Sequence, residues 1–598
     1  MDSLPDKYRA SWIARFEEHR KALPTEEDER IFNAVTVRDV LWKWRTVLSP
    51  ERQEALNKIV SELGDPDSWR ERLFPTETSP LTATDFSSRP IPDTVAFLKS
   101  WQPDQGPQRH TLTALAQELR TAAGNDLKGY AADADQFIGL KPIYIRRVLE
   151  GFQNSATNGQ SFEWGNVLKL VGYVFGQLHQ TVDASTVSEG DDPDWTWACK
   201  AACETLAAGL RRGAGGIGFE HTAAVRSLIL SLMQQVPKQP EIEDFEERFK
   251  REPFFAAQGT LRGLAVELSI LLVFWLSKDV SNTIGASPRG ALTNFPEMTR
   301  LFEAELADRS LSGRIPRAMM GRYLNYLFYF GEDWLRSQMS SLFPADDSAL
   351  QQSAWLSHLG FGQGPNMYLI SDLRPCYAKE IMRAAADEKY SDRDFRQDSL
   401  SDHLIILYLW GALPDDLLEL LWSDAPLRMR QHAMWYVGTQ LAQPGISDEI
   451  RARGFAYWER RLAAAKSAAD PEPFRKELGA IGQWCFREQI DDAWLSEQLL
   501  DMMQAGFIPT DAFSVVTRLQ KISSRHADQA VAVLQALLTN PLVDRWAYMT
   551  QREPIRDVLS AGLTQGTAET VTRANELISF LSTIGETSYI ELLRNSAA

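Results

Sequence analysis

The chain of 598 residues is several times longer than an ordinary domain, so it must form either several domains or an elongated array without one central core. Hydrophobic residues at 44% and charged residues at 24% fit a folded soluble protein and exclude a disordered chain. A formal net charge of −17 excludes a surface dominated by phosphate contacts, and the four dispersed cysteines, Cys199, Cys203, Cys376 and Cys485, exclude a disulfide framework and point to a reducing cytoplasm.

The opening MDSLPDKYRASWIARFEEHRK is charged and lacks the apolar run of a secretory signal, so export by that route is not expected. A helical segment is expected over 1–75, with Ser49, Pro50 and Glu51 marking a helix start. A polar stretch from Pro75 to Pro92 divides it from a first helical-repeat subdomain over 90–280. Inside that subdomain the acidic TVDASTVSEGDDPD (181–194) reads as a loop. The run Gly213 to Gly218 follows the helical AACETLAAGLRR and not a strand, so it reads as a connection between helices, without the context that aims backbone N–H groups at a phosphate. The most apolar stretch, Leu264 to Leu276, carries Glu267 and is bounded by Arg262 and Lys278. At about 13 residues it falls short of a membrane span and reads as a buried core helix.

SNTIGASPRGALTNFP (281–296) separates a second subdomain, 297–387, and EKYSDRDFRQD (388–398) separates a third, 399–598. Apolar residues recur at helical spacing throughout, as in Leu324, Leu327, Phe328 and Leu335, or Ala527, Val531, Leu534 and Leu538. Ser447 with Asp448 and Glu449, and Asp470 with Pro471 and Glu472, read as further helix starts. Breaks at Pro414, Pro444, Pro471, Pro509 and Pro541 fall roughly 30 residues apart, the length of a two-helix unit. The predicted fold is therefore all-α, an irregular α-solenoid of stacked helical hairpins resembling HEAT or TPR superhelices.

Motifs that carry chemistry are missing from this sequence: it has no GxxxxGK[ST], no HExxH and no GxSxG. Cys199 and Cys203 lie one helical turn apart without a second His or Cys pair nearby, and the eight histidines are scattered singly, as packing or surface residues are. Asp191 with Asp192, and Asp415 with Asp416, read as acidic loops and helix starts. No catalytic residue, metal or cofactor is assigned, and the chain is expected not to be an enzyme. Against the acidic background stands RSLSGRIPRAMMGRY, with Arg309, Arg314, Arg317 and Arg322. Arg314, Arg317 and Arg322 are the candidate partner-binding residues, able to receive an acidic peptide or phosphate, although a solvated helix start paired with Glu303, Glu305 and Asp308 accounts for the same pattern. DPDWTWACK and LNYLFYFGEDWL offer aromatic residues either for a recognition surface or, more simply, for core filling.

Six segments, TVAFLKSWQP, LKPIYIRRVLEGF, FEWGNVLKLVGYVFGQ, DPDWTWACKAACETLAAGL, SDHLIILYLWGAL and WCFREQIDDAWLSEQLL, are similar to the C-terminal helical-repeat, sensor-like region of large bacterial antiphage-defence proteins of the STAND NTPase type. The resemblance covers most of 90–595 and rests on packing motifs, with no catalytic residue among them and no nucleotide-binding or effector signature ahead of them. It implies a scaffold or sensor whose partner is a phage protein or an effector subunit. Two other classes remain: a hydrolase or nuclease whose site is assembled between helices without a motif, and a nucleic-acid-binding solenoid, which the net charge disfavours. No membrane association is expected, and self-association stays open.

Overall fold

The computed structural model describes residues 26–43, 45–46, 48–66, 78–103, 110–180, 190–211, 215–239, 244–284, 289–386, 395–543 and 550–595. Among them all regular structure is helical, and the β contact is an isolated bridge between Thr78 and His110. The predicted all-α class and its stacked helices are what the chain adopts. The charged opening segment, residues 181–189, Gly213, and the middles of the predicted loops at 285–288 and 388–394 lie outside the described residues.

Contacts divide the chain into two units, Met1–Val236 and Pro237–Ala598. The division falls inside the stretch 90–280 expected as one subdomain, while 297–387 and 399–598 share the second unit. The reason is the long apolar helix Leu261–Ile284, which packs on helices that follow it.

In the first unit the helices are α1 (Glu26–Lys43), α2 (Pro50–Leu63), α3 (Ala83–Ser87), α4 (Ile91–Ser100), α5 (Leu112–Asn125), α6 (Leu127–Ala132), α7 (Pro142–Thr157), α8 (Trp164–Gly176), α9 (Thr196–Arg211) and α10 (Thr222–Gln235). Helix α7 lies between α5 and α9 and turns Ile145, Val148, Leu149 and Phe152 inward, the i, i+3, i+4, i+7 spacing of a buried face. Small residues let α9 approach closely: a Cβ on Gly209 would stand 2.6 Å from the Trp164 ring.

The second unit begins with α11 (Phe245–Arg251), α12 (Pro253–Gln258), α13 (Leu261–Ile284), α14 (Pro296–Leu306), α15 (Arg314–Arg322), α16 (Leu324–Phe330), α17 (Glu332–Leu342), α18 (Ser348–Phe361) and α19 (Ile370–Ala386). Helix α13 contains the stretch expected as a core helix, and its residues from Leu261 to Leu272 are all buried. Beyond it follow α20 (Phe395–Leu409), α21 (Asp415–Ser423), α22 (Leu427–Leu441), α23 (Asp448–Ser467), α24 (Glu472–Gly479), a 3-10 turn (Ala480–Phe486), α25 (Asp492–Gln504), α26 (Ala512–Ile522), α27 (Ala527–Leu538), α28 (Arg552–Gln565), α29 (Ala568–Thr583) and α30 (Ile590–Asn595).

These later helices form two rows. One row runs α20, α22, α24 with its 3-10 turn, α26, α28. The other runs α21, α23, α25, α27, α29, joined by contacts such as Trp422 on Tyr457 at 5.7 Å and Phe455 on Trp494 at 4.0 Å. Each of the five prolines sits in a connection, as the spacing required, and the pairs are two helices long except between Pro444 and Pro471, where the single helix α23 runs 20 residues. Side-chain caps start some of these helices: Ser447 accepts from Ile450 N, Asp491 from Trp494 N and Asp511 from Ser514 N, whereas α21, α22 and α24 follow a proline without a side-chain cap. One glycine sets the spacing of the first row. A Cβ on Gly438 would meet the Trp484 indole at 2.4 Å, so the 3-10 turn seats against α22 because residue 438 has no side chain, and Trp484 Nε1 donates to Met434 O at 3.0 Å.

Candidate functional site

The four arginines of RSLSGRIPRAMMGRY do not share one surface. Arg317 is 1% exposed and donates to four backbone carbonyls, those of Leu306, Asp308, Gly313 and Ser341, at 2.6 to 3.0 Å. Leu306, Asp308 and Ser341 lie at or just past the C-terminal ends of α14 and α17, where carbonyls lack intrahelical partners, Gly313 lies in the turn before α15, and the planar guanidinium with its five donors satisfies them together. Arg314 is 6% exposed, donates to Ser353 Oγ at 3.2 Å and lies 5.1 Å over the Phe249 ring. Burial holds both guanidinium groups below their ordinary range. Arg322 stands over Tyr323 at 5.2 Å. Arg309 faces solvent, pairs with Asp346 at 2.8 Å and lines an open groove of about 770 Å³ together with Lys238, Asp308 and Leu311. The sequence cluster is thus one exposed residue and a clamp: Arg317 fixes the loop that forms the lip of the groove.

A second groove, of about 420 Å³, crosses four consecutive elements of the first row. Helix α20 supplies Asp398, α22 supplies Arg428, Gln431, His432 and Trp435, α24 and the 3-10 turn supply Lys476, Ala480 and Gln483, and the connection to α26 supplies Thr510. The positions on α22 follow the i, i+3, i+4, i+7 spacing of one helix face, opposite the buried Met429, Ala433 and Val437. Side chains three apart eclipse in a 3-10 helix, so Ala480 and Gln483 are continued by Phe486, which is 56% exposed. Phe513, 54% exposed in the first turn of α26, follows Thr510.

His432 is fixed from two sides. Its Nε2 donates to Asp402 Oδ1 at 2.8 Å, and its Nδ1 lies 3.6 Å from Asp398 Oδ1. Arg428 Nη2 reaches Asp398 Oδ2 at 3.3 Å, Gln431 donates to Lys476 O at 3.1 Å, and Thr510 Oγ1 donates to Gly479 O at 3.0 Å. The ring also stacks on Tyr436 at 6.2 Å and meets Trp435 at a tilt, at 5.2 Å. A histidine serving as a general base needs one ring nitrogen turned to a substrate or nucleophile. Here Nε2 is bonded to one carboxylate and Nδ1 faces another at 3.6 Å, so the ring is held between two acidic groups, beside donors, amides and an aromatic ring. Reading the histidines singly missed this site, whose one local signal was the polar stripe Arg428, Gln431, His432, Trp435.

Other sequence candidates fall into packing roles. Cys199 and Cys203 are buried, and burial pushes the Cys199 thiol up to about 12. Asp191 and Asp192 are anchors: Lys141 Nζ meets Asp191 Oδ2 and Arg146 Nε meets Asp192 Oδ2, each at 2.9 Å, tying the segment before α9 to α7. Burial raises the Asp192 carboxyl to about 6 against the attraction of Arg146. Phe328 fills the core, whereas Tyr326, Tyr329 and the buried Phe330 line a pocket with Phe274. Among the described residues no three His, Cys, Asp or Glu are grouped to hold a metal, and no helix is long and apolar enough to cross a membrane. No protein-family model matches the chain, and no curated protein matches it.

Proposed function

We propose that the chain is a non-catalytic helical-repeat scaffold that binds a protein partner, taking an extended segment of that partner across the groove of α20, α22, α24 and α26. The observation that carries this reading is the lining of that groove: amides, a hydroxyl, cations and Trp435 drawn from four successive elements, with both nitrogens of His432 already facing carboxylates. Gln431 and Gln483 carry the paired donor and acceptor that match a peptide unit, and Trp435, Phe486 and Phe513 offer the rigid aromatic area that dominates hot spots. Lys476, exposed and without a carboxylate partner among the described residues, favours an acidic residue in the segment.

The likeness to sensor regions of antiphage-defence proteins supports a role in bacterial defence, in the cytoplasm, with a phage protein or an effector subunit as the bound partner. Affinity purification of the tagged full chain from bacteria with and without phage infection tests it. A protein should co-purify with the wild type, and its yield should fall at least tenfold with the Trp435→Ala, Gln483→Ala double substitution at unchanged melting temperature. A chain recovered alone in both states, or equal yield from the variant, refutes the reading.

A further inference from the structure

Away from that groove, the second unit carries a pocket of about 360 Å³ between α13, α16 and the loop after α18. Its walls are rings set at steep angles: Phe274 meets Tyr326 at 5.8 Å and 89°, and Phe330 at 5.8 Å and 64°, while Tyr329 meets Phe330 at 5.3 Å and 78°. Edge-to-face packing of this kind is a favoured arrangement of aromatic rings and fixes these walls in place. Tyr329 is 43% exposed although it adjoins the core, so its ring is available from solvent.

Among the described lining residues one is charged. Lys278 Nζ lies 4.1 Å from the Phe274 centroid, so the cation-attracting face of that ring is already taken and a positively charged ligand would meet a like charge. Among the described lining residues there is no carboxylate to offset Lys278. The rim is held in place by side-chain hydrogen bonds: Asn325 Nδ2 donates to Gly364 O at 3.0 Å, Asn366 Nδ2 to Asn325 Oδ1 at 3.2 Å, and Gln363 Nε2 to the Tyr326 hydroxyl at 2.9 Å. That last bond leaves the Tyr326 hydroxyl hydrogen to donate and Gln363 Oε1 to accept.

The geometry points to a binding site for a small planar aromatic acid, its ring against Tyr326, Tyr329 and Phe274 and its carboxylate on Lys278 and the Tyr326 hydroxyl. The volume is at the small end of ligand pockets, which run from about 300 Å³, and suits one mono- or bicyclic ring system. Nothing in this assignment depends on the groove at His432.

Isothermal titration of the full chain with indole-3-acetate and with tryptamine separates the two charge types on one ring system. The acid should bind with one-to-one stoichiometry at least tenfold more tightly than the amine. Lys278→Met should abolish that preference, Tyr329→Ala should weaken the acid at least tenfold, and Trp435→Ala should change neither. Circular dichroism melts of the variants confirm that each is folded. Equal affinity of acid and amine for the wild type, full retention of acid binding by Lys278→Met, or no saturable heat with the acid overturns the assignment.

Discussion

Two buried polar clusters on neighbouring helices of the second unit solve the same problem in opposite ways. Between α18, α19 and α20, His358 and His403 pack ring to ring at 5.4 Å, with Trp355 on Tyr377 at 4.8 Å and the Tyr377 hydroxyl bonded to His403 Nδ1 at 3.0 Å. Neither nitrogen of His358 has a hydrogen-bond partner among the described residues. Loss of water pushes His358 down to about 4 and His403 well below its ordinary value, so this cluster is carried uncharged. Between α22, α23 and α24 the chain buries full charges. Arg461 Nε and Nη2 donate to the two oxygens of Glu477 at 2.6 and 2.8 Å, with Arg430 Nε at 3.7 Å. The first arrangement answers to pH and the second to loss of a partner. Both leave the outward faces of α20 and α22 free to carry the groove, so a groove substitution can act on binding without touching either core.

The largest effect should follow from breaking the charged cluster. Glu477→Gln removes the negative charge that, among the described residues, stands between the buried Arg461 and the mostly buried Arg430, which typically costs about 3 to 5 kcal/mol because a cation is left buried and unpaired. Urea unfolding of the variant should register that loss, and pairing Glu477→Leu with Arg461→Met should restore most of it. A loss below about 1 kcal/mol for Glu477→Gln would mean that water reaches the site and would erase the contrast.

Acid should act on the other cluster. The folded value of His358, about 4, lies below the 6.5 of an unfolded histidine, so as pH falls the unfolded chain takes the proton first. The stabilisation is complete above about 6.5 and is lost progressively as pH drops through about 4, at a total of roughly 3 kcal/mol for this residue. His403 moves the same way. Denaturant midpoints measured between pH 7 and pH 4 should fall more steeply for the wild type than for His358→Leu, while Glu477→Gln should keep the wild-type slope. Parallel slopes for wild type and His358→Leu would show the ring to be hydrated.

The all-α stacking was legible because its cause is local: apolar residues three and four apart, and prolines that cannot continue a helix, act within a few positions. Helix α13 was legible for the same reason, since its apolar stretch alternates with nothing. The functional surfaces were not, because their causes are distant. Arg317 is buried by main-chain carbonyls at Leu306, Asp308, Gly313 and Ser341, and a carbonyl has no signature in the sequence. The groove joins Asp398 to Thr510 across four elements, so His432 looked solitary until α20 brought two carboxylates to it. The boundary after Val236 was hidden too, since the preference of α13 for the helices that follow it is a matter of packing partners, not composition.

The smallest expected effect concerns how each region starts its helices. At α18, Asp347 caps its own helix: Oδ1 accepts from Ala349 N and Leu350 N, each at 3.1 Å. In the later rows, Asp528 on α27 braces the cap of a different helix, Thr567 of α29, with Oδ1 accepting from Thr567 N at 2.9 Å and from the Thr567 and Thr570 hydroxyls. Removing either carboxylate should cost about 1 kcal/mol, the usual value of an N-cap. The distribution of that loss should differ. Asp347→Ala should speed amide hydrogen exchange in the first turn of α18 alone, whereas Asp528→Ala should loosen the seam between two successive helical pairs and raise exchange in both α27 and α29. Stacked repeats are stable through their neighbour contacts, so a cap that reaches across a repeat is part of that interface, and a cap within one helix is not. Exchange confined to α29 in Asp528→Ala would reduce it to an ordinary cap and make the two regions alike in this respect.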